Sequence, residues 1–225
     1  MFSIAIILFD DFEELDAIGP WEVFRMAEEA SGGKISCEMV SLGGETVTAK
    51  KGMQVHVPKK LTPDSAYDLI LLPGGEGSRA LIADEGVLDM LRKVAAKATW
   101  VTSVCSGSLV YARAGMLAGR KCTSHHGCLD LLVQLSPTSE VIHNSRYVQD
   151  GNMVTSAGVS AGIDMALWLV GQVITPDFAR EVQHNIEYYP APPYGDGFFV
   201  CLKFKLWGCG LPHKFACHSL DRLSG

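Results

Sequence analysis

Thr99-Trp100-Val101-Thr102-Ser103-Val104-Cys105-Ser106-Gly107-Ser108 is the stretch on which the reading of the fold turns. Its first six residues, rich in β-branched and aromatic side chains, read as a strand. Cys105-Ser106-Gly107-Ser108 interrupts that run, and Leu109-Val110-Tyr111-Ala112-Arg113-Ala114 continues as a helix. The pattern predicts a strand, a sharp turn and a helix, with the Cys105 side chain pointing away from the sheet. This is the geometry of a nucleophile elbow, with Cys in the place of Ser. A thiol there lies near unpaired helix N–H groups, which favour a thiolate and can hold an oxyanion. A buried cysteine ending a core strand fits the same letters, since free Cys is among the most buried residue types. Cys105 alone leaves both readings open.

Working outward, four further apolar runs read as strands: Ser3–Phe9, Cys37–Leu42, Leu69–Leu72 and, more weakly, Asn152–Ser156. Helical patterns lie between and after them at Pro20–Ala30, Leu81–Ala98, Ser108–Ala114, Gly127–Leu135, Ala161–Val170 and Pro176–Tyr188. Such alternation predicts an α/β fold, a doubly wound, mostly parallel sheet with helices on both faces. Gln54–Pro58 and Arg146–Gln149 are short and suit a small antiparallel appendage. No repeat or long linker divides the chain. In such folds ligands bind beyond the C-terminal ends of the strands. Three chemically unusual segments fall there: Glu13–Pro20, Pro73-Gly74-Gly75-Glu76-Gly77, and Cys105–Ser108.

Composition narrows the function. A 225-residue chain with 48% hydrophobic and 20% charged residues has the makings of one folded α/β domain. A net charge of −6 without a basic cluster argues against nucleic acid as the main partner. The apolar N-terminus lacks a charged n-region and runs into Asp10-Asp11, so it reads as a first strand and not a signal peptide. No apolar stretch reaches the roughly 18 residues of a membrane span. Seven widely spaced cysteines suggest reduced thiols in a cytoplasmic protein.

Four groups of residues are candidates for chemistry. In the acidic loop, Asp10, Asp11, Glu13 and Glu14 are expected to face water, whereas Asp16 sits among Leu15, Ala17 and Ile18. Asp16 is either a helix cap or a proton partner for a thiol. Gly74-Gly75 lets backbone N–H groups approach a ligand, or makes a tight turn; with the Ser106 amide it could hold a negative charge. His125 and His126, on an extended segment, should point to opposite faces, one of them structural or a base. Cys122 and Cys128 read as core or surface thiols, and no zinc site is expected from His125, His126 and Cys128. In the tail from Gly195, Cys201, Cys209 and Cys217 recur beside His213 and His218 at spacings poorly suited to a metal finger.

From Met1 to about Tyr194 the chain resembles the ThiJ/PfpI superfamily, relatives of the class I glutamine amidotransferases. The likeness rests on Glu13-Glu14-Leu15-Asp16, Leu72-Pro73-Gly74-Gly75, Val104-Cys105-Ser106-Gly107, Thr123-Ser124-His125 and the run from Thr155 to Asp164. It implies a flavodoxin-like domain over 1–194, with 195–225 as an extension outside it. It implies Cys105 as nucleophile, Asp16 hydrogen-bonded to it, and the amides of Gly75 and Ser106 as the oxyanion pocket. His125 is then a substrate-side residue. A homodimer acting on a small molecule is also implied, with no cofactor and no metal.

Asp16-Ala17-Ile18-Gly19-Pro20-Trp21-Glu22-Val23-Phe24 and a hydroxyl residue after Cys105 are most similar to the isonitrile hydratase branch. Protease-like members carry Cys-His-Gly, where this chain has Cys105-Ser106-Gly107. Glyoxalase- or deglycase-like chemistry on dicarbonyls, an oxidant-sensing thiol and a ligand-binding module are the alternatives. The Gly-Pro-x-Glu-Val-Phe phrase also occurs in AraC-type regulators. The 31 residues after Tyr194 are too few for their DNA-binding module, so a complete regulator is not expected.

Overall fold

Strands that are apolar on both faces need cover on both sides, and two layers of helices supply it. The computed structural model describes residues 1–193, so Cys201, Cys209, Cys217, His213 and His218 lie outside the described residues. In chain order the elements begin with β1 (Phe2–Leu8), α1 (Glu14–Ala30), β2 (Ile35–Ser41), β3 (Thr46–Thr48), β4 (Gln54–His56) and β5 (Leu69–Leu72). Next come α2 (Ser78–Ala83), α3 (Glu85–Ala95), β6 (Trp100–Val104), α4 (Gly107–Arg113), β7 (Lys121–Cys122) and α5 (Leu129–Leu135). The last are β8 (Glu140–Val141), β9 (Tyr147–Asp150), β10 (Met153–Ser156), α6 (Ala161–Val173) and α7 (Pro176–Asn185).

The main sheet has the order β2-β1-β5-β6-β10-β9. Its strands pair in parallel except for β9, which is antiparallel to β10 at the edge. This is the flavodoxin-like, doubly wound arrangement expected from the sequence. Ile4–Leu8, Leu69–Leu72 and Val101–Val104 are buried and form its centre. Helices α1, α6 and α7 pack into one layer, α2 to α5 into the other. The chain reverses its winding between β1 and β5, which opens a crevice at their C-terminal ends.

Three local expectations are corrected. Helix α1 starts at Glu14 and runs through Pro20, so Asp16 lies in its first turn and not in a loop. Pro20 forgoes one helical hydrogen bond, but Asp16, Ala17, Gly19 and Pro20 are buried together and hold the turn in place. The expected helix Leu81–Ala98 is broken at Asp84, whose extended backbone and carboxylate start α3 afresh. That carboxylate accepts the N–H groups of Gly86 (2.9 Å) and Val87 (3.1 Å). Tyr147–Asp150 joins the main sheet, because the Asp150-Gly151 turn folds it back on β10 with Gly151 at φ 59°.

Only Gln54–His56 forms a separate hairpin, with β3. That hairpin docks on the acidic loop: Asp11 N–H donates to Thr48 O (2.8 Å), Thr48 N–H to Asp10 Oδ1 (2.9 Å) and Lys50 N–H to Phe12 O (2.9 Å). No helix among the described residues is long and apolar enough to cross a membrane.

The Asp84 cap gives a direct test of the break. Asp84→Ala should lower the unfolding free energy in urea by about 1 kcal/mol. No loss would mean that packing alone starts α3.

Candidate active site

The elbow is present and tightly held. Cys105 adopts φ 56°, a left-handed conformation that turns its side chain off the end of β6. Its N–H is shared between Ser156 O (3.1 Å) and Ala157 O (3.2 Å), and its carbonyl accepts Ser108 Oγ (3.1 Å) and Ser124 Oγ (2.8 Å). Gly107 lets the turn lie against β5, since a Cβ there would fall 2.3 Å from Leu72 O.

Asp16 is fully buried and makes no cap bond. Its Oδ2 accepts the Gly74 N–H (2.9 Å) from the loop after β5, and its Oδ1 accepts the Val159 N–H (3.1 Å) from the loop after β10. A hydrogen bond also joins it to Cys105. The carboxylate therefore ties the segments following four strands of the main sheet into one knot. Val159, a β-branched residue at φ 54°, is strained as it presents its N–H.

Burial sets the protonation of this pair. Desolvation raises the Asp16 carboxyl to about 7, against the Gly74 amide, which lowers it; the Glu13 charge adds to the rise. Burial, then the negative charge of Asp16, pushes the Cys105 thiol far above its usual range, with only the Ser106 amide pulling it down. Desolvation and the Asp16 charge thus work against the thiolate that the helix N-terminus behind Cys105 favours.

The Ser106 side chain turns toward the glycine loop. Its Oγ accepts the Gly75 N–H (3.0 Å) and the Ser78 hydroxyl (3.1 Å) and donates to Gly75 O (3.2 Å). It therefore orients the glycine loop, and the Gly75 amide is engaged by this hydroxyl. Gly75 itself, at φ 122°, could carry no side chain, since a Cβ would lie 2.3 Å from Asp11 O. The Ser106 amide is hydrogen-bonded to the Cys105 sulfur.

Cys105, Ser106, Gly75 and Val159 line a cleft of about 280 Å³ with His125 and Cys128 on its other side. The two histidines do not point to opposite faces. Their rings stack at 4.1 Å, because His125 caps a turn of 3₁₀ helix where its Nδ1 accepts the Gly127 N–H (3.1 Å). Burial, His126 and Arg79 lower the His125 pKa, while Glu13 opposes them.

The sequence of Phe2–Gln172 matches the DJ-1/PfpI family. The chain belongs to that family. Among its DJ-1/PfpI relatives, an isonitrile hydratase from Pseudomonas putida is 39% identical over 196 residues, covering 87% of this chain and 82% of the relative. The HTH-type transcriptional regulator GbdR from Pseudomonas aeruginosa is 33% identical over 172 residues, 76% of this chain but 46% of the regulator. A solved ThiJ/PfpI family protein from Pseudomonas syringae superposes with a TM-score of 0.77 at 31% identity, covering 87% of this chain and 78% of that one.

Several residues of this DJ-1/PfpI site escaped the sequence reading. Glu13 and Glu14 are half-buried and paired with Lys51, not free in water. Glu13, Lys50, Glu76 and Arg79 all line the cleft. So does Cys128, whose sulfur lies 3.8 Å from Arg79 Nη2. Only the Gly-Gly turn hinted that the residues just after it would face the site.

Asp16 gives the folded state a pH dependence. In the unfolded chain it ionises near 3.8, whereas the native state keeps its proton to about 7. Between those values the native state binds the extra proton, so stability falls as pH rises from about 4 to about 7. The contribution is on the order of 4 kcal/mol across that window. Asp16→Asn should lack it, so the wild-type melting temperature should fall relative to the variant's across the window. Parallel curves would mean that Asp16 does not titrate there.

Proposed function

We propose that this chain is a cysteine-dependent hydro-lyase that adds water to an isonitrile, giving an N-substituted formamide without metal or cofactor. The observation that carries the reading is the buried Asp16–Cys105 pair at the floor of a small cleft, and the likeness to an isonitrile hydratase supports it. The terminal carbon of an isonitrile must gain a nucleophile and a proton at the same atom. Cys105 forms the S–C bond while its proton passes to Asp16, and Asp16 delivers that proton to the same carbon. The product is a thioimidate on Cys105. Asp16 then takes a proton from water as its oxygen attacks that carbon. Asp16 passes that proton to nitrogen, the new hydroxyl becomes the carbonyl as the C–S bond breaks, and its proton goes by way of Asp16 to sulfur, restoring the Cys105 thiol. Splitting the hydration into two covalent steps lowers the barrier of each.

On this reading the neighbours have roles as well. Ser106 holds the Gly75 loop by its hydroxyl and steadies the sulfur by its amide. His125 bonds Gly127 through Nδ1, which suits contact with substrate rather than a Cys-His dyad. The same reading takes the working unit as a homodimer in the cytoplasm.

Cyclohexyl isonitrile should give the formamide with wild type, and Cys105→Ala should give none; appreciable product from that variant rules out the covalent route. Asp16→Asn should cut kcat by about 10²- to 10⁴-fold. In wild type kcat/KM should climb as pH rises through about 7, because the pair works with one proton and Asp16 must first ionise. Methylglyoxal run in parallel is the counter-test: lactate without formamide would move the chain to glyoxalase chemistry.

A further inference from the structure

The charges around the cleft are unevenly paired. Lys50 pairs with Glu76 at 3.4 Å, and Lys51 engages both Glu13 and Glu14. Arg79 has no carboxylate within ion-pair distance among the described residues. Its Nη1 donates to Gly75 O (3.2 Å) and Ser78 Oγ (3.0 Å), and its Nη2 to Cys128 Sγ (3.8 Å). The guanidinium is thus fixed by the loop that borders Cys105, with donors left over. Arg79 is also solvent-exposed, so an incoming ligand can reach it.

We infer that Arg79 is the anchor for a carboxylate on the substrate, so that the favoured substrates are small isonitriles bearing one such group. The substrate class rests on the hydratase reading; the anion subsite does not. A guanidinium already fixed by the protein loses little freedom when it takes up the planar fork of a carboxylate. A carboxylate suits the one guanidinium that lines the cleft with no carboxylate partner among the described residues. A dianion such as phosphate would meet the Glu13 and Glu76 carboxylates that also line the cleft. Arg79 is absent from the main influences on the Cys105 thiol, which places its role in substituent recognition and not in activating sulfur.

The test compares isocyanoacetate with its methyl ester, which loses the charge and gains one methyl group. Wild type should favour the acid in kcat/KM by at least tenfold, chiefly through KM. Arg79→Gln should remove most of that preference, and Arg79→Lys should restore part of it. Equal wild-type rates on the two substrates would overturn the inference. So would an Arg79→Gln variant that lost both rates by one factor, since that marks a purely structural arginine.

Binding of N-formylglycine and its methyl ester, followed by calorimetry, separates the two readings. If no isonitrile turns over, the hydratase reading fails, and the subsite stands or falls on acid binding that weakens at least tenfold in Arg79→Gln.

Discussion

A carboxylate with no exposed surface is the constraint around which the crevice is built. Taking an ionised Asp16 out of water costs several kcal/mol unless its oxygens are met. The Gly74 and Val159 amides and the Cys105 thiol meet them. Because those partners come from separate loops, the requirement fixes where the loops after β5, β6 and β10 must end. Two of them bear strain to comply, since Cys105 and Val159 both sit at positive φ. Each such residue costs on the order of 1–3 kcal/mol, and only a surrounding that over-determines it keeps it there.

The same loops are braced from outside. The β3–β4 hairpin hydrogen-bonds along Asp10 to Phe12 and carries Lys50 and Lys51 to the rim. Lys51 pairs with both Glu13 and Glu14 there, although such exposed pairs are worth little to stability. Their larger effect is electrostatic. Negative charge that would otherwise gather at the mouth of the cleft is partly cancelled, and Arg79 is left as a cation without a carboxylate partner among the described residues.

Much of this was legible in the letters and some was not, for reasons that follow chain geometry. Ser3–Phe9 and Leu69–Leu72 announced themselves as strands because they are apolar throughout, and only a sheet covered on both faces accommodates them. Cys105 could be placed at a turn because Gly107 follows a β-branched run. The start of α1 was missed because Pro20 looks like a boundary, whereas contacts far along the chain bury the turn before it. Protonation is less legible. The helix N-terminus behind Cys105 is visible in sequence, but the depth at which desolvation overrides it is not. Arg79 and Cys128 meet across 49 positions, and no local spacing encodes that contact.

The burial of the pair bears on the chemistry. A free thiolate in this pocket would set a second negative charge beside Asp16, and both the low dielectric and the repulsion oppose it. A thiol and a carboxylate sharing one proton avoid the penalty, since the pair carries a single charge whichever member holds the proton. An isonitrile carbon makes matched demands: it accepts a sulfur and a proton together, and at the end of that first step the pair has lost only the proton it shared. A substrate that had to be attacked by preformed thiolate would gain nothing from such burial. The depth of the pair, a liability for ordinary thiolate catalysis, is therefore compatible with this addition and favours it.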